Sequence, residues 1–373
     1  MSSSHSTPGP ARPGARTLLI LLAAVVGLGA ALASTAAAAT SPVKPAQPAK
    51  PHVVSTAPRG VVAGDSAVRI VFSEPMAPLT SASTPRITPA TPGHWAQPTP
   101  TTLEFVPTGA YLPGTAVTVT VRRGLAATDG ARLAHTVTVT YTARDGSPVR
   151  LEQLLAQLRY LPVHLVTHGG PRDRDAAAQQ RAIYAPPKGA FRWGHGWPGA
   201  LHELWVHDNA VVMQGAIMAF ESQHGLPLSG TASPEVWQAL LAARAHNQFN
   251  NAGYTYAVAS ESAPESLTVY HDGEVVLQTP ANTGIPDAPT ALGTYPVYER
   301  LRSQTMQGTN PDGSHYADFV QWVAYFNGGD AVHYMPRADY GSPQSLGCVE
   351  LPYAAAERAW GFLSYGSLVS VVG

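Results

Sequence analysis

Turn-forming residues cut this chain into short pieces, with 34 glycines and 34 prolines spread over its 373 residues. Glycine ends an element through backbone freedom, and proline through a fixed φ and a missing N–H donor. Between 53 and 143 the pieces that remain alternate apolar and polar residues. Val68-Arg69-Ile70-Val71-Phe72, Thr102 to Val106, Thr115 to Val121 and Thr136 to Tyr141 all repeat with a period of two. Turn signals at Gly60, Pro75, Pro92-Gly93, Pro113-Gly114 and Asp129-Gly130 separate them. Several short alternating strands in succession predict an antiparallel β-sandwich over 53–143.

The period then changes. Leu151, Leu154, Leu155, Leu158 and Leu161 form one helical stripe. A loop containing Pro, Gly and Arg is expected next, then a helix from about Val212 to His224 with Met213, Ile217 and Phe220 on one face and Gly225 at its end. Ser233-Pro234-Glu235 reads as N-cap, first helical residue and first-turn acid, with Trp237, Leu240 and Leu241 turned inward. A small α-helical domain is therefore expected over 150–246. From 250 to 373 strands return. Ser266 to His271 and Glu274 to Gln278 flank Asp272-Gly273, a strong hairpin signal. Further strands are expected around 292–298, 322–326, 331–334 and 367–372, with one helix opened by Pro352. The fold class is multidomain: β-sandwich, small helical domain, mostly β C-terminal domain.

Composition narrows the function classes. The formal net charge is −1, with charged residues only 13% of the chain. A binder of nucleic acid needs a basic face to neutralise phosphates, so that class is excluded. Arg12 and Arg16 precede an apolar run from Leu18 to Ala33 and a small-residue tract ending at Ala39. Basic, apolar and small regions in that order predict a secretory signal over 1–39, and the run is short for a spanning helix. The expected location is secreted or in the cell wall, with membrane attachment only through an uncleaved leader. The stretch 40–52 is a Pro- and Ala-rich linker.

The chain has a single cysteine, Cys348, which rules out an internal disulfide and any multi-cysteine metal site. An unpaired thiol in an exported chain invites a chemical role. Cys348 precedes the helix opened by Pro352, and the N–H groups of a helix N-terminus lower a thiol's pKa. His333, fifteen residues upstream on an expected strand, is a candidate base. The segment between holds Pro336, Tyr340-Gly341, Pro343 and Gly347, so it can loop back, and Gly347 lets backbone N–H groups converge beside the thiol. By residue chemistry this is a Cys–His acyl-transfer pair. The bland alternative is an inert buried thiol beside a structural histidine.

Gly328-Gly329-Asp330-Ala331-Val332-His333, followed by Tyr340-Gly341-Ser342-Pro343-Gln344-Ser345-Leu346-Gly347-Cys348-Val349-Glu350-Leu351-Pro352, resembles the catalytic signature of L,D-transpeptidases. Asn282-Thr283-Gly284, Leu292-Gly293-Thr294 and a lid-like Met306 to Tyr316 agree with it. Upstream, Phe72-Ser73-Glu74-Pro75-Met76, Leu103 to Pro107 and Thr128-Asp129-Gly130 resemble a bacterial Ig-like domain. The segment 200–244 is similar to a small three-helix peptidoglycan-binding domain, although such aromatic stripes are more often core than binding site.

The resemblance implies Cys348 as nucleophile and His333 as general base, its ring oriented by the carbonyl of Tyr334. Gly347 and Cys348 supply the turn whose N–H groups would hold the oxyanion, Ser345 matches the box serine that supports it, and Tyr316, Met306 and Glu350 lie toward substrate. It implies peptidoglycan stem peptides as substrates, carbapenems as inhibitors, and no cofactor. The reaction implied is acyl transfer from a stem tetrapeptide with loss of D-Ala, giving a cross-link between third residues. Two departures stand out: Leu346 replaces the second histidine of the family's box, and Glu350 puts a carboxylate at the position two after the cysteine, which is usually polar. Hydrolysis by an L,D-carboxypeptidase uses the same pair of residues, and a decayed wall-binding protein would keep the fold without the chemistry. No metal is expected. His164 and His168 stand four apart without the glutamate of a zincin helix, and His195, His202 and His207 read as surface or packing residues in a loop.

Overall fold

The computed structural model describes residues 50–373 except 168, 171–173 and 208. The signal-like leader and most of the linker lie outside the described residues. Eight strands build the first layer pair: β1 (Val53–Ala57), β2 (Gly60–Val62), β3 (Val68–Phe72), β4 (Arg86–Thr88), β5 (Gly93–Thr99), β6 (Thr102–Pro107), β7 (Ala116–Val121) and β8 (Val137–Ala143). They form two four-stranded sheets, ordered β1-β3-β6-β5 and β2-β8-β7-β4. Alternation places Val68, Ile70 and Phe72 of β3 inward against Leu103, Phe105, Val117, Val119 and Tyr141. The sandwich read from the period of two is present, antiparallel except where β2 runs parallel to β8.

The segment 148–245 is richer than a helical bundle. It contains α1 (Pro148–Gln157), β9 (Val163–Thr167), α2 (Ala176–Ala182), β10 (Gly189–Trp193), α3 (Gly199–His207), α4 (Asn209–Gln223) and α5 (Pro234–Ala245). Ser233 caps α5 by accepting from the Val236 amide, with Pro234 in the first turn. The sequence put a loop where β9, α2, β10 and α3 stand. His202 and His207 therefore lie on a helix, and His202 stacks on Trp193 with ring centroids 3.8 Å apart. Aromatic packing between β10 and α3 organises a stretch that its Gly and Pro content made look irregular. His164 sits on strand β9, so it has no helical partner at four residues, and His168 lies outside the described residues.

The C-terminal region holds β11 (Thr255–Ser260), β12 (Ser266–His271), β13 (Glu274–Pro280), β14 (Gly293–Pro296), β15 (Glu299–Thr309), β16 (His315–Asn327), β17 (Asp330–Tyr334), β18 (Val349–Leu351), α6 (Tyr353–Phe362) and β19 (Leu368–Val372). One sheet is ordered β13-β12-β11-β19-β14, the other β15-β16-β17-β18, with β11–β19 and β17–β18 parallel. Asp272 (φ 49°) and Gly273 (φ 86°) make the tight turn expected between β12 and β13.

The helical segment shares its core with the C-terminal sheet. Trp237, Phe220, Leu240 and Leu201 cluster with Tyr254, Tyr256 and Leu368. On its other side, Tyr184 Oη donates to the Tyr111 carbonyl at 2.7 Å and Arg181 Nη1 to the Thr108 carbonyl at 2.7 Å, tying it to the sandwich. Trp237 is 2% exposed, so Trp237→Ala should cost about 3–5 kcal/mol. Because the core is shared, calorimetry should show the helical segment and the sheet destabilised together. A shift confined to one of two separate transitions would show that they unfold independently.

Candidate active site

The site forms where β17 and β18 run side by side. Their register pairs Val332 with Val349, His333 with Glu350 and Tyr334 with Leu351. Cys348 lies two positions before Glu350, so an extended chain turns both side chains to one face, which His333 shares. Cys348, His333 and Glu350 all line one cavity of about 710 Å³. The long β15–β16 hairpin walls its other side, contributing Met306, Tyr316 and Asp318 from residues paired across the two strands. Leu346 lines it too.

The imidazole of His333 is 2% exposed. Its Nδ1 lies 2.9 Å from the Tyr334 carbonyl. A carbonyl can only accept, so Nδ1 carries the proton and Nε2 is left with its lone pair. Burial lowers the His333 pKa below its ordinary value, against the opposing pull of that carbonyl and of Glu350. The ring is therefore neutral at pH 7 and able to accept a proton.

Around the thiol, Ser345 Oγ donates to the Cys348 carbonyl at 2.6 Å and accepts from the Gly347 amide at 3.2 Å. Gly347 has φ +115°, and a Cβ there would meet Asp330 Oδ1 at 2.5 Å. Only glycine suits this turn on both counts. Cys348 Sγ points toward the Gly329 carbonyl at 3.7 Å. Two hydrogen bonds from Asn282 and Glu350 amides to each other's carbonyls, and one from the Ser345 amide to Thr283, lace the Asn282-Thr283-Gly284 segment against this loop.

One expectation is corrected. The strand β18 stands between Cys348 and α6, so the helix N-terminus does not adjoin the thiol. Burial instead pushes the Cys348 pKa up to about 12. A hydrogen bond from the Ala331 backbone opposes that rise, and the Asp330 and Glu350 carboxylates add to it. Strand β18 leaves no periodic trace, because Val349-Glu350-Leu351 is too short to show one.

Arg337 went unnoticed in the sequence. Its Nε and Nη2 grip the Glu350 carboxylate at 2.7 Å each, and the guanidinium lines the same cavity. The signal was a charge that departs from the family's pattern, at Glu350, which demands a cation once the side chain is found 4% exposed. Among the described residues, no group of three or more His, Cys, Asp or Glu side chains has a metal-binding arrangement.

Residues 254–371 match the family model of the L,D-transpeptidase catalytic domain. The chain carries an L,D-transpeptidase catalytic domain. Residues 47–143 match the model of a bacterial Ig-like domain, which is the sandwich described above. Among solved structures, an L,D-transpeptidase from Mycobacterium smegmatis is similar at 15% identity over 87% of this chain and 99% of that one, with a TM-score of 0.30. L,D-transpeptidase 3 from Mycobacterium tuberculosis, in complex with a faropenem-derived adduct, is similar at 17% over 86% and 98%, again at 0.30. The catalytic domain from the E. faecium L,D-transpeptidase is similar at 27% over 31% and 95%, at 0.29. A search of curated proteins gives no match.

Proposed function

We propose that this protein is an exported peptidoglycan L,D-transpeptidase that forms cross-links between third residues of stem peptides, with Cys348 as nucleophile and His333 as general base. One observation carries the reading. Within the L,D-transpeptidase domain, the only thiol of the chain and a neutral imidazole with a free Nε2 open into a single cavity. The leader read as a secretory signal would bring the enzyme to the wall.

In the proposed reaction the thiol proton passes to Nε2 of His333 as sulfur bonds to the carbonyl carbon of the third residue. The carbonyl oxygen takes up negative charge. The Gly347 amide is engaged by Ser345, so the amide of Cys348 is the donor this turn offers to that oxygen. The C–N bond to D-Ala then breaks, and the departing amine takes the proton held on the imidazole. That leaves a thioester. An amine of a second stem attacks it and loses its proton to His333, and the thiol is released and reprotonated. A carbapenem offers the same thiol a strained amide, whose ring opening leaves an acyl-enzyme.

The test is intact-mass analysis of the protein with a stem tetrapeptide, alone and with an amine acceptor. The expected result is loss of D-Ala through an acyl-enzyme and a cross-linked dimer when the acceptor is present. Release of free tripeptide with no dimer would establish hydrolysis, and no acyl-enzyme with any donor would overturn the reading.

A further inference from the structure

The guanidinium of Arg337 is fixed in the cavity with one nitrogen uncommitted. Nε donates to Glu350 Oε2, and Nη2 donates to Glu350 Oε1 and, at 3.2 Å, to the Gln344 carbonyl. Those contacts use three of the five N–H groups an arginine offers. Nη1 donates to no acceptor among the described residues, although the Arg337 side chain is 29% exposed and borders the cavity that holds Cys348 and His333. Glu350 is far more deeply buried and pairs with His333 across the strands, so the carboxylate side of this pair is anchored and the guanidinium is presented.

The rest of the cavity sharpens this. The described residues lining it include the carboxylates Asp312, Asp318 and Asp330 and no second Lys or Arg. An anionic group entering meets three carboxylates and is attracted at one place.

We infer that Arg337 reads the C-terminal carboxylate of the acyl donor, through Nη1, with Glu350 as the clamp that aims it. This rests on the reading of the cavity as the transpeptidation site. The spacing agrees. Glu350 is two positions past Cys348, about 6.6 Å along an extended strand, and the donor's carboxylate lies one residue past the carbonyl the thiol attacks. The carboxylate leaves with D-Ala, so the contact serves formation of the thioester and not its resolution. Arginine suits the role because a planar fork can hold one carboxylate side-on and still offer its other nitrogen.

The experiment compares a stem tetrapeptide with the same peptide amidated at its C-terminus, measuring kcat/KM for thioester formation by the full chain. The wild type is expected to favour the free acid by roughly ten- to hundredfold, the scale of a charge-assisted hydrogen bond. Arg337→Lys keeps a cation beside Glu350 and loses the second prong. The double variant Arg337→Gln with Glu350→Gln keeps a hydrogen-bonded, neutral pair. In both, the ratio between donors should fall to near one. A wild type that does not discriminate overturns the inference while leaving the transpeptidase reading intact. So does a ratio that persists in the variants while both rates fall, which would mark a purely structural pair. A wild type that acylates with neither donor removes both readings.

Discussion

Cys348→Ala is expected to abolish acyl-enzyme formation with stem tetrapeptide and with a carbapenem alike, lowering turnover by roughly 10⁴-fold or more. This thiol stands alone. No other cysteine exists in the chain to substitute for it, and among the described residues no hydroxyl of the cavity wall is hydrogen-bonded to His333 Nε2. His333→Ala should slow acylation steeply while leaving the thiol in place, because the Cys348 proton then has no acceptor at the moment of attack. The two losses should not add: residues acting as one unit are grossly non-additive, so the double variant should be about as slow as Cys348→Ala alone. Intact-mass time courses read all three. An adduct that survives Cys348→Ala would sink the assignment of the nucleophile, and additive losses would show that His333 acts elsewhere.

Which parts of this arrangement the sequence could show follows from the range of the forces involved. The strands β3, β6, β7 and β8 of the sandwich and the Asp272-Gly273 hairpin are written in local periodicity and turn chemistry, and they stand where those signals put them, whereas β1, β2, β4 and β5 showed no such pattern. The cap of α5 is equally local. Cys348 and His333 were visible as types at a spacing, with the resemblance of the surrounding box to give them roles. What stayed hidden depends on contacts between distant segments. The β9–β10 pair and α3 are held by Phe191, Trp193 and Trp205 meeting across the intervening loop, which local periodicity does not report. The partner of Glu350 is thirteen residues away and becomes recognisable only once both sit at one cavity wall. The thiol's environment was misjudged for the same reason. A three-residue strand decides whether Cys348 faces a helix N-terminus or a buried sheet edge, and pairing with β17 creates that strand, not any propensity of its own.

That environment leads to a second large effect. A thiol pushed up to about 12 from an ordinary value near 9 has about a thousandfold less thiolate at pH 7 than a free cysteine. Alkylation of Cys348 by iodoacetamide should therefore be about a thousandfold slower than that of a small thiol at pH 7. Its rate should keep rising by about tenfold per pH unit beyond pH 9, where the small thiol levels off. Acylation by a carbapenem should behave differently. There the proton moves to His333 during attack, and the imidazole, its pKa lowered by burial, is already neutral above pH 6.5. The acylation rate should be flat from that pH upward and fall only in acid, as the base becomes protonated. Divergent pH profiles for one sulfur would identify general-base activation of a neutral thiol. If alkylation instead saturates below pH 8, the resting site is a thiolate–imidazolium pair, and the Asp330 and Glu350 carboxylates are outweighed by a cation brought closer than His333 and Arg337 lie here.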